Sequence, residues 1–432
     1  MSIGYKNKYS GIFVLDYLVQ GVNQSMVVFV LPIYLLTTKG SVEANILAFM
    51  VSLFLLPASI KFIYGILTDR YGFKKIGNRK SWIIFPDGFS AIFWILLPFF
   101  LLLGNIDPII VFLVCGLLIS FGVFISDTAL DALIIDVCPR EQLARVQGYC
   151  WSGRSVGIIV GGPLLLFIFV YIPFYLIFIG VGIMTILFTM LLLIVKERDP
   201  IEYDIGLIKW FKKELGPIFE KRENWKLFAY CLIISIYGVI IMIILPLYIL
   251  IQSGLVDAEG ATISSIAVDI NLYRPQAIIT TVLSIGIISG SILGGYITDK
   301  RTRRFGAIFT LLLSIISTIL IVLSFNIIFL LIITIFAGMS VGSFNSVLSA
   351  LAGEYSKKHS ETRGTFFATG MSFSNFGSSI GLFLAGFLFI QISNITTEVK
   401  VIYGAIFLII LLISLLQLIP LLTMDRKQYE LD

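Results

Sequence analysis

Twelve apolar runs, each about the length a helix needs to cross a bilayer, leave this chain few folds to adopt. A crossing takes about 20 residues. The runs fall at 12–36, 44–66, 82–104, 109–136, 144–169, 171–195, 227–252, 276–298, 305–324, 326–351, 364–390 and 399–423. In lipid a backbone must satisfy its own polar groups, so runs of this length become helices. Only 13% of the 432 residues are charged, against roughly 25% in a soluble domain. One large soluble core is excluded, because the runs show no polar face of helical period. The chain is expected to be an all-α polytopic membrane protein with twelve transmembrane helices.

Lys and Arg set the orientation, since they favour the cytoplasmic side of short loops. With both termini inside, only Lys39, Arg274 and Lys400 fall on the outer side, and only Lys61 and Arg154 fall deep within runs, more than a residue from an end. The remaining Lys and Arg lie on the inner side. The longest charged stretch, 196–226, reads as a cytoplasmic linker with an amphipathic helix around Ile208–Phe219 at the membrane surface. It divides the chain into residues 1–195, with six spans, and 227–432, with six more. A long outside loop, 253–275, is expected to hold a short helix. The first run is long and holds Asp16, Gln20 and Asn23, so no cleavable signal peptide is expected.

Several function classes find no support. The net charge of +5 is explained by topology and is no sign of nucleic acid. Cys115, Cys138, Cys150 and Cys231 have no metal-binding spacing, and one histidine, His359, excludes a His-based metal site. No phosphate-cradling glycine loop, H-E-x-x-H or G-x-S-x-G occurs, so neither ATP hydrolysis nor an embedded enzyme is expected. No cofactor is implied.

The two halves repeat one another. Gly65-Ile-Leu-Thr-Asp69-Arg70-Tyr-Gly72-Phe-Lys74-Lys75 follows the second run, and Gly295-Tyr-Ile-Thr-Asp299-Lys300-Arg301 follows the eighth. The fourth and tenth runs end in Asp136 and Glu354, and an arginine opens the next run in each case, Arg145 and Arg363. This loop signature, with twelve spans and a charged central linker, resembles the major facilitator superfamily. The resemblance implies two pseudo-symmetric six-helix bundles rocking about a central site. The segment Asp127–Gly148 is similar to the branch holding muropeptide permeases, folate–biopterin and acetyl-CoA transporters, and bacteriochlorophyll-associated relatives.

Two groups of residues are candidates for function. The first is a cytoplasmic gate of Asp69, Arg70, Asp136 and Arg145, with Asp299, Lys300, Glu354 and Arg363 as its second-half counterpart. Opposite charges at helix ends can lock a bundle in one state and part in the other. The resemblance further implies that Asp69 caps a helix in the opposite half. The alternative is plain topogenic charge with acids nearby.

The second group lies deeper. Asp127 precedes Asp136 and Arg154 follows Arg145 by the same interval, so both sit about 13 Å into the membrane at the helical rise. Charges there are costly and are functional candidates by default. Arg154 would bind an anionic solute group, with Asp127 holding it or taking a proton; a purely structural ion pair is the bland alternative. Asp131, one turn from Asp127, is a further proton candidate, as are Asp16 and Asp87. Gln20, Asn23 and Gln24 extend the stripe begun by Asp16 and are expected to line the cavity, opposite Asn345 and Asn375 of the second half. Gly153, Gly157 and Gly161 are read as a close helix contact.

The expected function is transport of a small anionic or amphipathic organic solute by alternating access, coupled to protons. An uncoupled facilitator and a transporter-like assembly factor or sensor are the alternatives. A monomer in the plasma membrane is expected, with lipid, the solute and protons as its partners.

Overall fold

The computed structural model describes residues 5–31, 34–35, 44–73, 75–104, 106–165, 172–197, 207–255, 270–324 and 326–430. The crossings are helices α1 (Lys8–Ser25), α2 (Ala44–Ser59), α3 (Lys61–Arg70), α4 (Asn78–Leu102), α5 (Pro108–Val137), α6 (Leu143–Ile159), α7 (Phe174–Met190), α8 (Arg222–Gln252), α9 (Ile270–Lys300), α10 (Arg303–Leu323), α11 (Ile327–Ser356), α12 (Arg363–Ser393), α13 (Val399–Leu415) and α14 (Leu418–Thr423). α2 with α3 makes the second crossing and α13 with α14 the twelfth. The chain is thus a polytopic membrane protein of twelve crossings in two six-helix bundles. Most of the 253–275 loop lies outside the described residues.

Among the described residues, nine helices are long and apolar enough to cross a membrane. The first, second and fifth crossings are not among them, because each is interrupted. α1 passes into a π turn at Met26–Val30 and α6 into another at Val160–Leu164, where Pro163 has no N–H to give. α2 carries Pro57, and the chain breaks at Ile60 (φ −105°, ψ 20°) before α3 resumes. These three crossings carry Asp16, Arg154 and Lys61. The polar groups and the irregular backbone therefore coincide, as is common for π turns at functional sites.

Local chemistry sets the helix starts. Asp107 caps α5 by accepting from Ile109 N at 2.8 Å, and Asn326 caps α11 by accepting from Ile328 N at 2.8 Å. Glycines set the helix contacts. A Cβ on Gly157 would lie 2.1 Å from the Leu18 carbonyl oxygen, so α6 and α1 touch backbone to backbone. Gly342 of α11 meets the Ile287 carbonyl of α9 at the same 2.1 Å. The linker is helical over Leu207–Glu220, and Trp210, Leu215 and Ile218 are buried on the second-half core.

The halves meet tightly at the end that carries the Asp69 and Asp299 loops, called here the motif end. Cβ atoms on Gly65, Gly148 and Gly295 would lie 2.8, 2.3 and 2.5 Å from backbone atoms of Thr365, Ser291 and Ala144 in the opposite half. Toward the other end, Leu55 and Met242 stand 43% and 44% exposed. Among the described residues, the halves close on each other at the motif end.

Candidate functional site

Asp127 of α5 is the hub of the central site. It pairs with Arg154 of α6 at 3.3 Å and also with Lys61 of α3. Both cations are nearly buried. Gln24 of α1 accepts from Arg154 Nε at 3.3 Å, and the guanidinium lies 5.3 Å from the Trp151 ring. One turn further along α5, Asp131 accepts from the Tyr17 hydroxyl and pairs with no described cation. The four charges of this site are two cations, one carboxylate shared between them, and one carboxylate held by a phenol.

These groups border a cavity of ≈ 260 Å³ between the halves. Gln24, Lys61, Trp151 and Arg154 line it from the first half, and Asn345, Ser374, Asn375 and Ser378 from the second. A pocket of ≈ 70 Å³ continues toward the motif end and reaches Tyr17, Asp127 and Asp131. Trp151 donates to Ser349 Oγ at 3.2 Å, and Asn375 donates to the Ala58 carbonyl at 3.1 Å, so both halves already touch across the site. The wall is charged on one side and amide-and-hydroxyl on the other.

The polar stripe of α1 does not face this cavity as a unit. Gln24 lines it. Gln20 and Asn23, expected to bind solute, turn into the first half instead. Gln20 donates to Asp16 at 3.4 Å. Asn23 donates to Val19 O at 2.9 Å and Thr185 at 3.2 Å, and accepts from Trp94. Asn23 lines a small chamber of ≈ 20 Å³ that shares Gln24, Phe124 and Arg154 with the large cavity. At 3.6 residues per turn positions 16, 20, 23 and 24 span about 100°, with Asn23 at one edge and Gln24 at the other, and the Gln24 edge is the one that meets the large cavity. Asp16 and Asp87 meet over Thr189, inside the first half and away from the large cavity.

At the motif end the charges interlock across the halves. Asp69 accepts from Gly364 N at 3.0 Å and from Thr365 N and Oγ1 at 2.5 and 2.6 Å, which are the N-terminus of α12. A carboxylate is favoured at the positive end of a helix dipole. Asp299 does the same for α6, accepting from Ala144 N at 3.1 Å and Arg145 N at 2.8 Å. Asp136 pairs with Arg363 at 3.0 Å, and Glu354 with Arg140 at 2.6 Å, again between halves. Within the halves, Arg79 bridges Asp69 and Asp136, and Arg303 bridges Asp299 and Glu354.

Sequence reasoning missed four of these participants as site residues. Lys61 was visible as the only lysine in mid-run. Arg79, Arg140 and Arg303 carried no signal beyond loop charge. Arg70 also lies 5.4 Å from the Trp210 ring, and Lys300 lies 5.5 Å from the Tyr296 ring. The side chain of Arg145 is 3.9 Å from Asp299, so its backbone N–H makes the closer contact.

The sequence profile of the Major Facilitator Superfamily matches residues 14–270 and 260–430. This chain belongs to the Major Facilitator Superfamily. The family and the fold point to a secondary transporter of small solutes. Rickettsia conorii has a relative called AmpG 1, described as a candidate transporter, which is 30% identical over 132 residues, 29% of this chain and 30% of that protein. The Rickettsia felis protein of the same name is 29% identical over 159 residues, 34% of each chain. The matched stretch spans about a third of these relatives' length. Among solved structures, a bacterial homologue of the iron transporter ferroportin, in an outward-facing state, superposes with TM-score 0.68 at 12% identity, over 96% of this chain and 98% of that one. The superfamily transporter FucP, in its outward conformation, gives 0.61 at 14% identity, over 95% of this chain and 98% of its own. At those identities the likeness is one of fold.

Proposed function

We propose that this transporter carries a small anionic organic solute, coupled to protons, by alternating access. The observation that carries the reading is the imbalance around Asp127. Two nearly buried cations, Lys61 and Arg154, share a single carboxylate at the wall of the cavity between the halves. A solute carboxylate or phosphate can replace Asp127 as the partner of either cation. Arg154 offers a planar fork suited to such groups, and Lys61 a point charge. Asn345, Asn375 and the serines of α12 supply neutral donors and acceptors for the rest of the solute. Gln20 and Asn23 are left out of this set.

Asp131 is the proposed proton carrier. With Asp131 ionised, the site is neutral; with Asp131 protonated, one positive charge is left for the solute. Proton and anion would therefore bind together. Asp16 and Asp87 would hold a further proton behind the cavity. Asp69, Arg79, Asp136, Arg140, Asp299, Arg303, Glu354 and Arg363 form the proposed cytoplasmic gate, shut in this conformation. Residues 1–195 and 227–432 would rock about the site, joined by the 196–226 linker, in a monomer of the plasma membrane with both termini inside.

A ligand-stabilisation screen on purified protein tests this reading. Organic anions are expected to raise the unfolding temperature of the wild type and not of Arg154→Ala. Uptake of a hit into proteoliposomes should then rise with an imposed pH gradient. A hit that stabilises both proteins equally would remove Arg154 from the site. Uptake indifferent to the gradient would leave a facilitator.

A further inference from the structure

Behind the solute cavity, α1, α4, α5 and α7 enclose a second polar cluster. Asp16 and Asp87 are 0% and 2% exposed. Ser126 donates to Asp87 at 2.8 Å. The Thr189 hydroxyl lies 3.0 Å from Asp87 and 3.4 Å from Asp16, and its one hydrogen can serve only one of them. Gln20 turns its amide into the cluster, donating through Nε2 to Asp16 at 3.4 Å, while its buried Oε1 accepts nothing. Among the described residues no Lys, Arg or His pairs with either carboxylate. Lys61 and Arg154 are engaged by Asp127, which faces the cluster from α5 and adds to its negative field. Asp131, bound to Tyr17, and the Cys150 thiol of α6 complete the titratable surroundings.

Two buried carboxylates and an orphaned amide oxygen lack a positive partner, and buried charge without one is strongly disfavoured. We infer that this cluster is a sodium site, with Asp16, Asp87 and Gln20 Oε1 as its principal ligands and the Thr189 and Ser126 hydroxyls completing it. The donor set is all oxygen, as hard cations require. Mg²⁺ gives up its water reluctantly and suits a wet site better than this closed one. Without sodium, the two carboxylates share one proton. When Na⁺ binds, that proton leaves to solvent, and the cluster keeps the same net charge before and after. The site goes beyond the solute reading, since its existence does not depend on Arg154.

The experiment uses purified full-length protein in choline chloride, titrated with NaCl, KCl or CaCl₂. Unfolding temperature and the colour of a pH indicator in weakly buffered solution are followed. NaCl is expected to give a saturable rise in unfolding temperature and to release about one proton per ion bound, as metal sites with protonated ligands do. Asp87→Asn should lose both signals, Gln20→Leu should weaken Na⁺ at least ~10-fold by loss of a ligand in a dry site, and His359→Gln, in the other half, should keep both. Failure of the anion screen would leave these results standing. Equal responses to Na⁺ and K⁺, a response to Ca²⁺ in place of Na⁺, or an undiminished response in Gln20→Leu would overturn the assignment. Should Asp87→Asn not fold, Thr189→Val takes its place, with a weakened Na⁺ response expected and an unchanged one counting against the site.

Discussion

Asp69→Asn should unlock the motif end. The side chain keeps its shape but loses its charge, and its new amide group faces donors. Asp69 now accepts three hydrogen bonds from the N-terminus of α12. Bonds to a charged group contribute about 1.5–3 kcal/mol and neutral ones about 0.5–1.5, so each loses roughly 1 kcal/mol. Arg79 is not orphaned, because Asp136 still holds it at 3.1 Å. The shut state should therefore lose about 3 kcal/mol, a factor of about 150 in the ratio of shut to open.

Cys138 reports the change. It ends α5, is 4% exposed, and its carbonyl accepts from Lys357 of the other half at 2.6 Å. With Cys115, Cys150 and Cys231 replaced by serine, maleimide labelling of Cys138 from the motif side should accelerate by up to about that factor. Asp299→Asn should do the same, since Asp299 caps α6 as Asp69 caps α12. If Asp69→Asn is extracted intact and labels at the parent rate, these caps do not hold the gate, and the reading fails.

Other perturbations follow from single contacts. Arg154→Ala should weaken a bound organic anion by about 2–5 kcal/mol in calorimetry, while Arg154→Lys, keeping charge but not the fork, should lose less. Gly157→Ala should cost about 1–3 kcal/mol of stability in a thermal melt by forcing α6 from α1, since its methyl would meet the Leu18 carbonyl at 2.1 Å. His359 stacks on Phe366 with centroids 4.6 Å apart, and burial, with Lys221 nearby, holds its pKa down at about 4 against an ordinary 6.5. Between those values the unfolded chain binds the proton and the folded one does not, so stability should fall as pH drops from 6.5 to 4. His359→Gln should flatten that part of the melting profile.

What could be read in advance depended on whether a contact is local in sequence. The crossings announce themselves through hydropathy, and Asp69 and Asp299 through the repeated loop. Their arginine partners do not: Arg79 lies across a loop that the second half shortens, so Arg303 sits a single turn from its aspartate. Lys61 was visible, but its partner lies two crossings away, and no spacing argument reaches it. The α1 stripe spans about 100° of helix, and its Gln24 edge, not its Asn23 edge, meets the large cavity. The rotation of a helix within its bundle is set by tertiary packing, here by the glycine contacts of α6, and spacing along α1 does not encode it.

α3 joins the two devices. Lys61 opens it at the proposed solute site and Asp69 sits near its other end at the proposed gate, about 12 Å apart at the helical rise. α6 repeats the arrangement, with Arg154 at the site and its N-terminus held by Asp299. Asp127 ties the two helices together by binding both cations. Anything that draws Lys61 from Asp127 must move α3 as a rod, because Pro57 and the break at Ile60 uncouple it from α2 above. Lys61→Met should therefore change Cys138 labelling without touching the gate. Sites this far apart with no shared partner ordinarily add to within about 0.3–0.5 kcal/mol. A rigid α3 predicts more: in the cycle of Lys61→Met, Asp69→Asn and the double variant, the labelling equilibrium should show about 1 kcal/mol of coupling, roughly fivefold. Simple additivity would mean that site and gate communicate by some route other than this helix.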